Sequence, residues 1–349
     1  METRLCTVDP ACPDAGVMRE AGEILKNGGL VAFPTETVYG LGGDALNSEA
    51  SRLIYAAKGR PSDNPLIVHI ADWEALAPIV QEVPAGARRL AEAWWPGPLT
   101  MIFKKSDRVP YETSGGLETV AVRMPDHPVA LALIRAAGGY IAAPSANTSG
   151  RPSPTTAGHV AEDLSGRIDM ILDGGSVRIG LESTIVDFTE EVPVILRPGF
   201  INEEMLKTVL GDVKMDPGLQ SEDPAVRPKA PGMRYRHYAP KAELSIVEGT
   251  PESVVKYIDE RVREAERAGK KAAVMASAET AGAYSAGHVH VMGSLNSDEE
   301  IANRLYGVLR SFDEDGTDVI FSEAFDSPRM GQAIMNRLLK AAGHRVISV

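Results

Sequence analysis

Two hydrophobic rhythms alternate along the first two-thirds of the chain. Apolar residues three and four apart over residues 17–26 are followed by Gly28-Gly29 and then by the short apolar run Leu30-Val31-Ala32-Phe33. The first rhythm predicts an amphipathic helix closed by glycine, the second a strand. The same reading predicts strands over 66–70, 99–103, 120–124, 140–143, 170–172, 184–188 and 193–196, and helices over 48–57, 85–93, 128–136 and 156–164. Several strand-to-strand connections contain no helix, which predicts a twisted mixed sheet rather than a doubly wound parallel one.

The rhythm stops at residues 211–241, where Asp-Pro-Gly, Glu-Asp-Pro, Arg-Pro-Lys-Ala-Pro-Gly and Ala-Pro-Lys follow one another with almost no apolar periodicity. This reads as a linker between domains spanning 1–210 and 242–349. Its middle, Pro231-Gly232-Met233-Arg234-Tyr235-Arg236-His237-Tyr238, is too aromatic and basic for a passive spacer. After it, strands over 244–247, 272–275, 288–292, 319–321 and 345–349 alternate with helices over 251–268, 298–311 and 330–342, a second and smaller α/β domain.

The chain of 349 residues is long enough for two cores, and a net charge of -12 argues against a broad nucleic-acid-coating surface. No apolar run is long enough to span a bilayer, and the start Met1-Glu2-Thr3-Arg4 lacks a signal-peptide pattern, so a cytoplasmic protein is expected. Cys6 and Cys12 lie far from any histidine cluster and predict neither a zinc site nor a disulfide.

Against that acidic background, Lys58-Gly59-Arg60-Pro61-Ser62-Asp63-Asn64-Pro65-Leu66 concentrates two cations and an amide where glycine and proline disfavour helix or ladder pairing. The expectation is an exposed loop that presents Lys58, Arg60 and Asn64 to an anion; a solvated turn is the alternative. Neither G-x-x-x-x-G-K-[ST] nor G-x-G-x-x-G after a strand is present, so phosphate would be held another way. Five more polar clusters sit at strand ends, where α/β sheets expose ligands. Phe33-Pro34-Thr35-Glu36-Thr37-Val38-Tyr39-Gly40-Leu41-Gly42 reads equally as a ligand loop or as a turn into a glycine-rich helix start. His69 interrupts an apolar run and fits either a core hydrogen bond or a site. Arg123, in a strand expected to be buried, requires an anion, either an internal carboxylate or one on a substrate.

Ala142-Ala143-Pro144-Ser145-Ala146-Asn147-Thr148-Ser149-Gly150-Arg151-Pro152-Ser153 is a dense row of small donors, longer than ordinary Asx and Ser turns. Glu182-Ser183-Thr184 and Leu196-Arg197-Pro198-Gly199 complete the set. Together they supply donors and cations but no nucleophile–base pair, which favours a reaction run by positioning and charge neutralisation over covalent catalysis.

These segments, in this order, resemble the threonylcarbamoyl-AMP synthases of the long form, in which a YrdC-like catalytic domain precedes a linker and a smaller Rossmann-like C-terminal domain. The carriers are Pro34-Thr35-Glu36-Thr37-Val38-Tyr39-Gly40-Leu41, Lys58-Gly59-Arg60-Pro61 with Asn64-Pro65-Leu66, Ala143-Pro144-Ser145-Ala146-Asn147, Glu182-Ser183-Thr184, Leu196-Arg197-Pro198-Gly199 and the linker motif Ala230-Pro231-Gly232-Met233-Arg234-Tyr235-Arg236-His237-Tyr238-Ala239-Pro240. The resemblance covers nearly the whole chain and implies nucleotidyl transfer. L-threonine, bicarbonate and ATP, accompanied by Mg2+, would give threonylcarbamoyl-AMP and pyrophosphate, the product passing to the tRNA threonylcarbamoyl-transferase machinery.

The resemblance also implies roles. Lys58, Arg60 and Ser145 would be catalytic. Lys58, Arg60, Asn64, Thr119, Ser145, Asn147, Ser153 and Arg197 would contact ATP, while Thr35, His69, Arg123 and Ser183 would frame threonine. Tyr235 and Arg236 would close over the nucleotide, and no protein ligand is assigned to the metal. Weak RNA binding is the lesser alternative, disfavoured by the acidic balance. Carbamoyl transfer in hydrogenase maturation is the other, and 2 cysteines cannot supply the zinc fingers of that architecture.

Overall fold

The computed structural model describes residues 2–219, 238–327 and 329–349 and divides the chain into two compact units. Unit 1 comprises Met1–Ser149, Ser153–Arg178 and Glu182–Arg234, and unit 2 comprises Gly150–Pro152, Ile179–Leu181 and Tyr235–Val349.

Unit 1 begins with β1 (Arg4–Thr7), α1 (Ala15–Lys26), β2 (Val31–Phe33), β3 (Gly40–Asp44), α2 (Ser48–Lys58), β4 (Ile67–His69), α3 (Ala85–Trp94) and β5 (Leu99–Lys104). It continues with α4 (Tyr111–Ser114), β6 (Thr119–Arg123), α5 (Pro128–Ala136), β7 (Ile141–Ala142), α6 (Ala157–Leu164) and β8 (Met170–Asp173). β9 (Thr184–Asp187), β10 (Val194–Arg197), α7 (Glu203–Leu210) and β11 (Lys214–Met215) complete it. The strands form one mixed 11-stranded sheet in the order β1-β8-β2-β3-β7-β4-β6-β5-β9-β10-β11. Its core includes Leu41, Ile54, Leu66, Val68, Leu99, Met101, Phe103 and Val122, all at most 1% exposed, so helix and sheet faces share one apolar interior.

The helices start where side chains can satisfy orphan amides. Asp14 accepts from Gly16 N and Val17 N at the head of α1, and Asn47 accepts from Glu49 N at the head of α2. α2 ends because Gly59 adopts φ 61°, a left-handed stop that turns the chain out immediately after Lys58. Both cysteines are free, Cys6 buried on β1 and Cys12 exposed.

The stretch 40–44, open in the sequence as a turn into a helix, is strand β3, antiparallel to β2 and β7. A Cβ at Gly42 would lie 2.8 Å from the Ile141 side chain and 3.2 Å from the Val31 carbonyl, and one at Gly43 would press on Ile54 and Leu30. The glycines therefore serve close packing inside a sheet, against the usual depletion of glycine in strands. The first sheet also runs past residue 210, because Lys214–Met215 pairs in parallel with β10.

Unit 2 adds β12 (Glu243–Glu248), α8 (Pro251–Arg267), β13 (Ala272–Ala276), β14 (His288–Val291), α9 (Asp298–Asp315), β15 (Val319–Glu323), α10 (Gly331–Ala342) and β16 (Val346–Ser348). Its five strands are all parallel, in the order β14-β13-β15-β12-β16, with helices between them as expected for a Rossmann-like domain. Val247, Ile258, Val274 and Phe321 lie in its core.

Candidate functional site

The register of unit 1 sets three polar side chains in one row. His69 of β4 is opposite Arg123 of β6, and Arg123 is opposite Thr100 of β5. Register partners on adjacent strands share a face about 5 Å apart, so an imidazole, a guanidinium and a hydroxyl stand side by side. All three are buried. His69 Nδ1 lies 3.1 Å from the Ile67 carbonyl oxygen. Burial, aided by the Arg123 charge, pushes its pKa down to about 3, and the ring is neutral at physiological pH.

Arg123 has an internal carboxylate. Its Nη2 lies 2.7 Å from Glu36 Oε1, with both side chains at most 5% exposed. Nη1 donates to Thr37 Oγ1 at 2.9 Å and Nε to the Gly97 carbonyl at 3.3 Å. The contact with Glu36 is close but poorly aligned for a hydrogen bond, and both Glu36 oxygens and Arg123 Nη2 lack a hydrogen-bond partner. Thr35 closes the loop that carries Glu36: its hydroxyl donates to the Val38 carbonyl at 2.6 Å and accepts from the Thr37 and Val38 amides. Beyond Thr100 the row continues through Ser183, whose hydroxyl lies 2.8 Å from Thr100 Oγ1, to Arg197, which donates to the Ser183 carbonyl at 3.0 Å and hydroxyl at 3.2 Å.

Lys58 departs from the expectation of an exposed loop cation. It is the last residue of α2, 3% exposed, and its ammonium donates to the Ser145 and Asn147 carbonyls at 2.5 Å each. Asn147 Oδ1 is 3.4 Å away and also accepts from the Ser145 hydroxyl at 2.6 Å. The helix carries the lysine inward because Ile54, Tyr55, Ala57 and Lys58 share its buried face. The loop begins only at Gly59. Within it Arg60 Nη2 donates to the Asn64 and Pro65 carbonyls at 3.2 and 3.0 Å, and the Tyr55 hydroxyl reaches the Asn64 carbonyl at 3.1 Å. The loop is thus braced by its own cation and by the preceding helix. Asp63 Oδ1 and Asn64 Oδ1 are buried oxygens in this loop with no hydrogen-bond donor among the described residues.

Backbone pairing joins the two groups. Ala146 N donates to the Tyr39 carbonyl, Tyr39 N to the Pro154 carbonyl, and Gly40 bridges Ser145, so the segment from Ser145 onward runs beside the Thr35 loop. A continuous path of contacts leads from Lys58 through Ser145 and Asn147 to the Thr35–Thr37 turn, then to Arg123, Thr100, Ser183 and Arg197. Ser153 is also fully buried and donates to Glu182 Oε1 at 2.5 Å. Thr119 sits at the opposite end of β6 from Arg123, four residues or about 13 Å along the strand. Tyr235 and Arg236 lie outside the described residues.

Glu36, Thr100 and Glu182 belong to this constellation although the sequence reading assigned them no role. Glu36 and Glu182 carried a usable signal, a carboxylate set among small residues at the edge of a strand. Thr100 carried none, because a threonine in a strand is ordinary.

Residues 23–199 match the Sua5/YciO/YrdC family model, described as telomere recombination, and residues 201–343 match the model of the threonylcarbamoyl-AMP synthase C-terminal domain. The threonylcarbamoyl-AMP synthase of Pyrococcus abyssi is 50% identical over 334 residues, 95% of this chain and 96% of that one. The Bacillus subtilis enzyme of the same name is 50% identical over 329 residues, 94% and 93% of the two chains. Among solved structures, P. abyssi Sua5 complexed with L-threonine superposes with a TM-score of 0.94 at 47% identity, over 99% of this chain and 100% of that one.

Proposed function

This chain belongs to the threonylcarbamoyl-AMP synthase family, a family of enzymes, and from that premise we propose that it joins L-threonine, bicarbonate and ATP into threonylcarbamoyl-AMP with release of pyrophosphate. The threonine amine condenses with bicarbonate to a carbamate with loss of water. A carbamate oxygen then bonds to the α-phosphorus as the bond to the bridging oxygen of pyrophosphate breaks. Both reactants are anions, and cations that neutralise the developing charge are what the step needs. The observation that carries this reading is the continuous run of buried donors and cations from Lys58 to Arg197, with no nucleophile–base pair required of it.

Lys58 and the Ser145–Asn147 segment form the nucleotide end. The Ser145 and Asn147 carbonyls accept from the ammonium and so orient its charge. Arg60 gives the adjoining loop its shape, and Asn64, Ser153, Arg197 and Thr119 are assigned to the same nucleotide. The threonine end is the row of His69, Arg123 and Ser183 with Thr35. Arg123 Nη2, misaligned toward Glu36, is the donor offered to the substrate carboxylate, and the protein with L-threonine bound that this chain resembles at 47% identity supports an amino acid as ligand.

Magnesium fits the loop: Asp63 Oδ1 and Asn64 Oδ1 are hard oxygen donors, buried and unsatisfied, of the kind that holds a hydrated Mg2+. Bound with the triphosphate, the ion would neutralise phosphate charge and orient the leaving pyrophosphate. The product is an activated donor for tRNA modification, and Tyr235 and Arg236 are assigned to closure over the nucleotide.

The test is pyrophosphate release by the purified chain. Release is expected only when ATP, L-threonine and bicarbonate are all present, with threonylcarbamoyl-AMP as the co-product by mass. Release independent of threonine or bicarbonate overturns the reading.

A further inference from the structure

A group of side chains in unit 2 remains unused by the synthase reading. His288 and His290 are two apart on β14, so their side chains project from the same face of the strand. β14 is the edge of the five-stranded sheet, pairing only with β13, through Ala273 with His288 and Met275 with His290. The two rings are 4.4 Å apart between centroids. The His290 ring also meets Phe312 of α9 edge to face, with centroids 4.7 Å apart.

Asp315 follows Phe312 by three residues, one helical turn further along, and is the last residue of α9 before Gly316 ends the helix at φ 65°. It therefore stands on the same side of the helix, at the end where the backbone dipole favours a cation. One ligand atom from each of His288, His290 and Asp315 lies within 4.8 Å of the others, the single such group of three among the described residues. A second feature points the same way: among the described residues His290 Nε2 is buried with no hydrogen-bond partner, a polar nitrogen left unsatisfied beside two further donors.

We infer that His288, His290 and Asp315 form a binding site for one divalent transition-metal ion of the zinc type. Two imidazoles and a carboxylate are a donor set that Zn2+ accepts in tetrahedral geometry with water in the fourth position, at bonds of about 2.0–2.2 Å. Ligands at that distance from a shared ion stand about 3.3–3.6 Å apart. Closing from within 4.8 Å needs only side-chain rotation by the exposed His288 and Asp315 about the fixed His290. Mg2+ is not expected to compete, because it prefers an all-oxygen octahedral shell. The positive neighbourhood is limited: Arg304 is exposed, and the Lys271 ammonium is engaged with the Asp315 main-chain carbonyl at 2.5 Å, leaving the carboxylate to the metal.

The experiment is titration of the full chain, carrying no added histidine tag, with Zn2+ by isothermal calorimetry, alongside Co2+ as a spectroscopic probe. One equivalent is expected to bind, with the intense visible absorption of a tetrahedral Co2+ site. His288→Ala, on the exposed residue, is expected to leave folding and synthase turnover unchanged. It should weaken binding by more than the roughly 10–100-fold typical of losing an outer-shell partner. Asp315→Asn is expected to weaken it similarly, and His290→Gln to abolish it. No stoichiometric binding, or Zn2+ affinity unchanged in His288→Ala while the variant melts like the parent, overturns the assignment.

Discussion

The two ends of the site bury a cation in different ways. Lys58 donates to carbonyl oxygens of the Ser145–Asn147 segment, which fix the direction of its ammonium. Arg123 sits against the carboxylate of Glu36, with both side chains buried. A lysine held by backbone carbonyls is fixed in direction, whereas an arginine stored against an internal carboxylate can be released to a substrate carboxylate by exchange. The first arrangement suits a triphosphate. The second suits an amino acid, because the substrate carboxylate need only take the better-aligned donor that Glu36 leaves open.

Substituting Lys58 has the largest expected effect on turnover. Lys58→Met removes the charge and should cost about 10²–10³-fold in kcat, the scale of losing one preorganised stabilising donor. Contrary to the expectation for an exposed loop residue, it should also lower stability by about 1–3 kcal/mol, because the Ser145 and Asn147 carbonyls lose their donor. Denaturant unfolding beside steady-state kinetics separates the two losses; an unchanged midpoint would return Lys58 to the surface.

Breaking the other pair should act mainly on stability. Glu36→Gln leaves Arg123 buried without its counter-charge and should cost about 3–5 kcal/mol in denaturant unfolding, while threonine KM holds or falls because a competitor for Arg123 is gone. A rise in threonine KM with stability intact would show that Glu36 binds substrate rather than storing the arginine.

Acid should act on the His69–Arg123 row in a defined direction. With its folded pKa depressed to about 3, His69 is neutral in the fold, whereas the unfolded chain protonates it near its ordinary 6.5. The unfolded state then binds more protons, so stability from this group is present above about pH 6.5 and is lost as pH falls from there toward 3. His69→Asn should flatten the pH dependence of the melting temperature across that window. An equally steep dependence in the variant would assign the acid sensitivity to other groups.

The smallest effect is expected at the hydroxyl pair between Arg123 and Arg197. Ser183→Ala removes the hydroxyl that Thr100 Oγ1 and Arg197 Nη2 reach and should cost about 1 kcal/mol by the same unfolding measurement. A change of several kilocalories would mean that this link carries more of the fold than its two hydrogen bonds.

How much of this was legible in the sequence varied with the kind of signal. Apolar rhythm located most helices and strands to within a few residues, and the six clusters supplied most side chains of the candidate site. β3 was hidden because its glycines answer to the Phe33, Ile141 and Ile54 side chains lying across them, which no local pattern reveals. The five-residue neighbourhood of Lys58 looked like a loop, yet the helical face that buries it was already written in Ile54, Tyr55 and Ala57. The partner of Arg123 stayed open between substrate and protein because pairing with Glu36 depends on a contact 87 residues apart in the chain.

The measurement that tests the division most directly is crossed calorimetry: binding of Mg-ATP and of L-threonine, each alone, to Lys58→Met and Arg123→Gln, with both variants first shown to be folded at the working temperature. The account predicts that Lys58→Met loses ATP affinity at least about tenfold, or 1.4 kcal/mol, and keeps threonine affinity, while Arg123→Gln does the reverse. Equal loss of both ligands in both variants, or the opposite pairing, would contradict it.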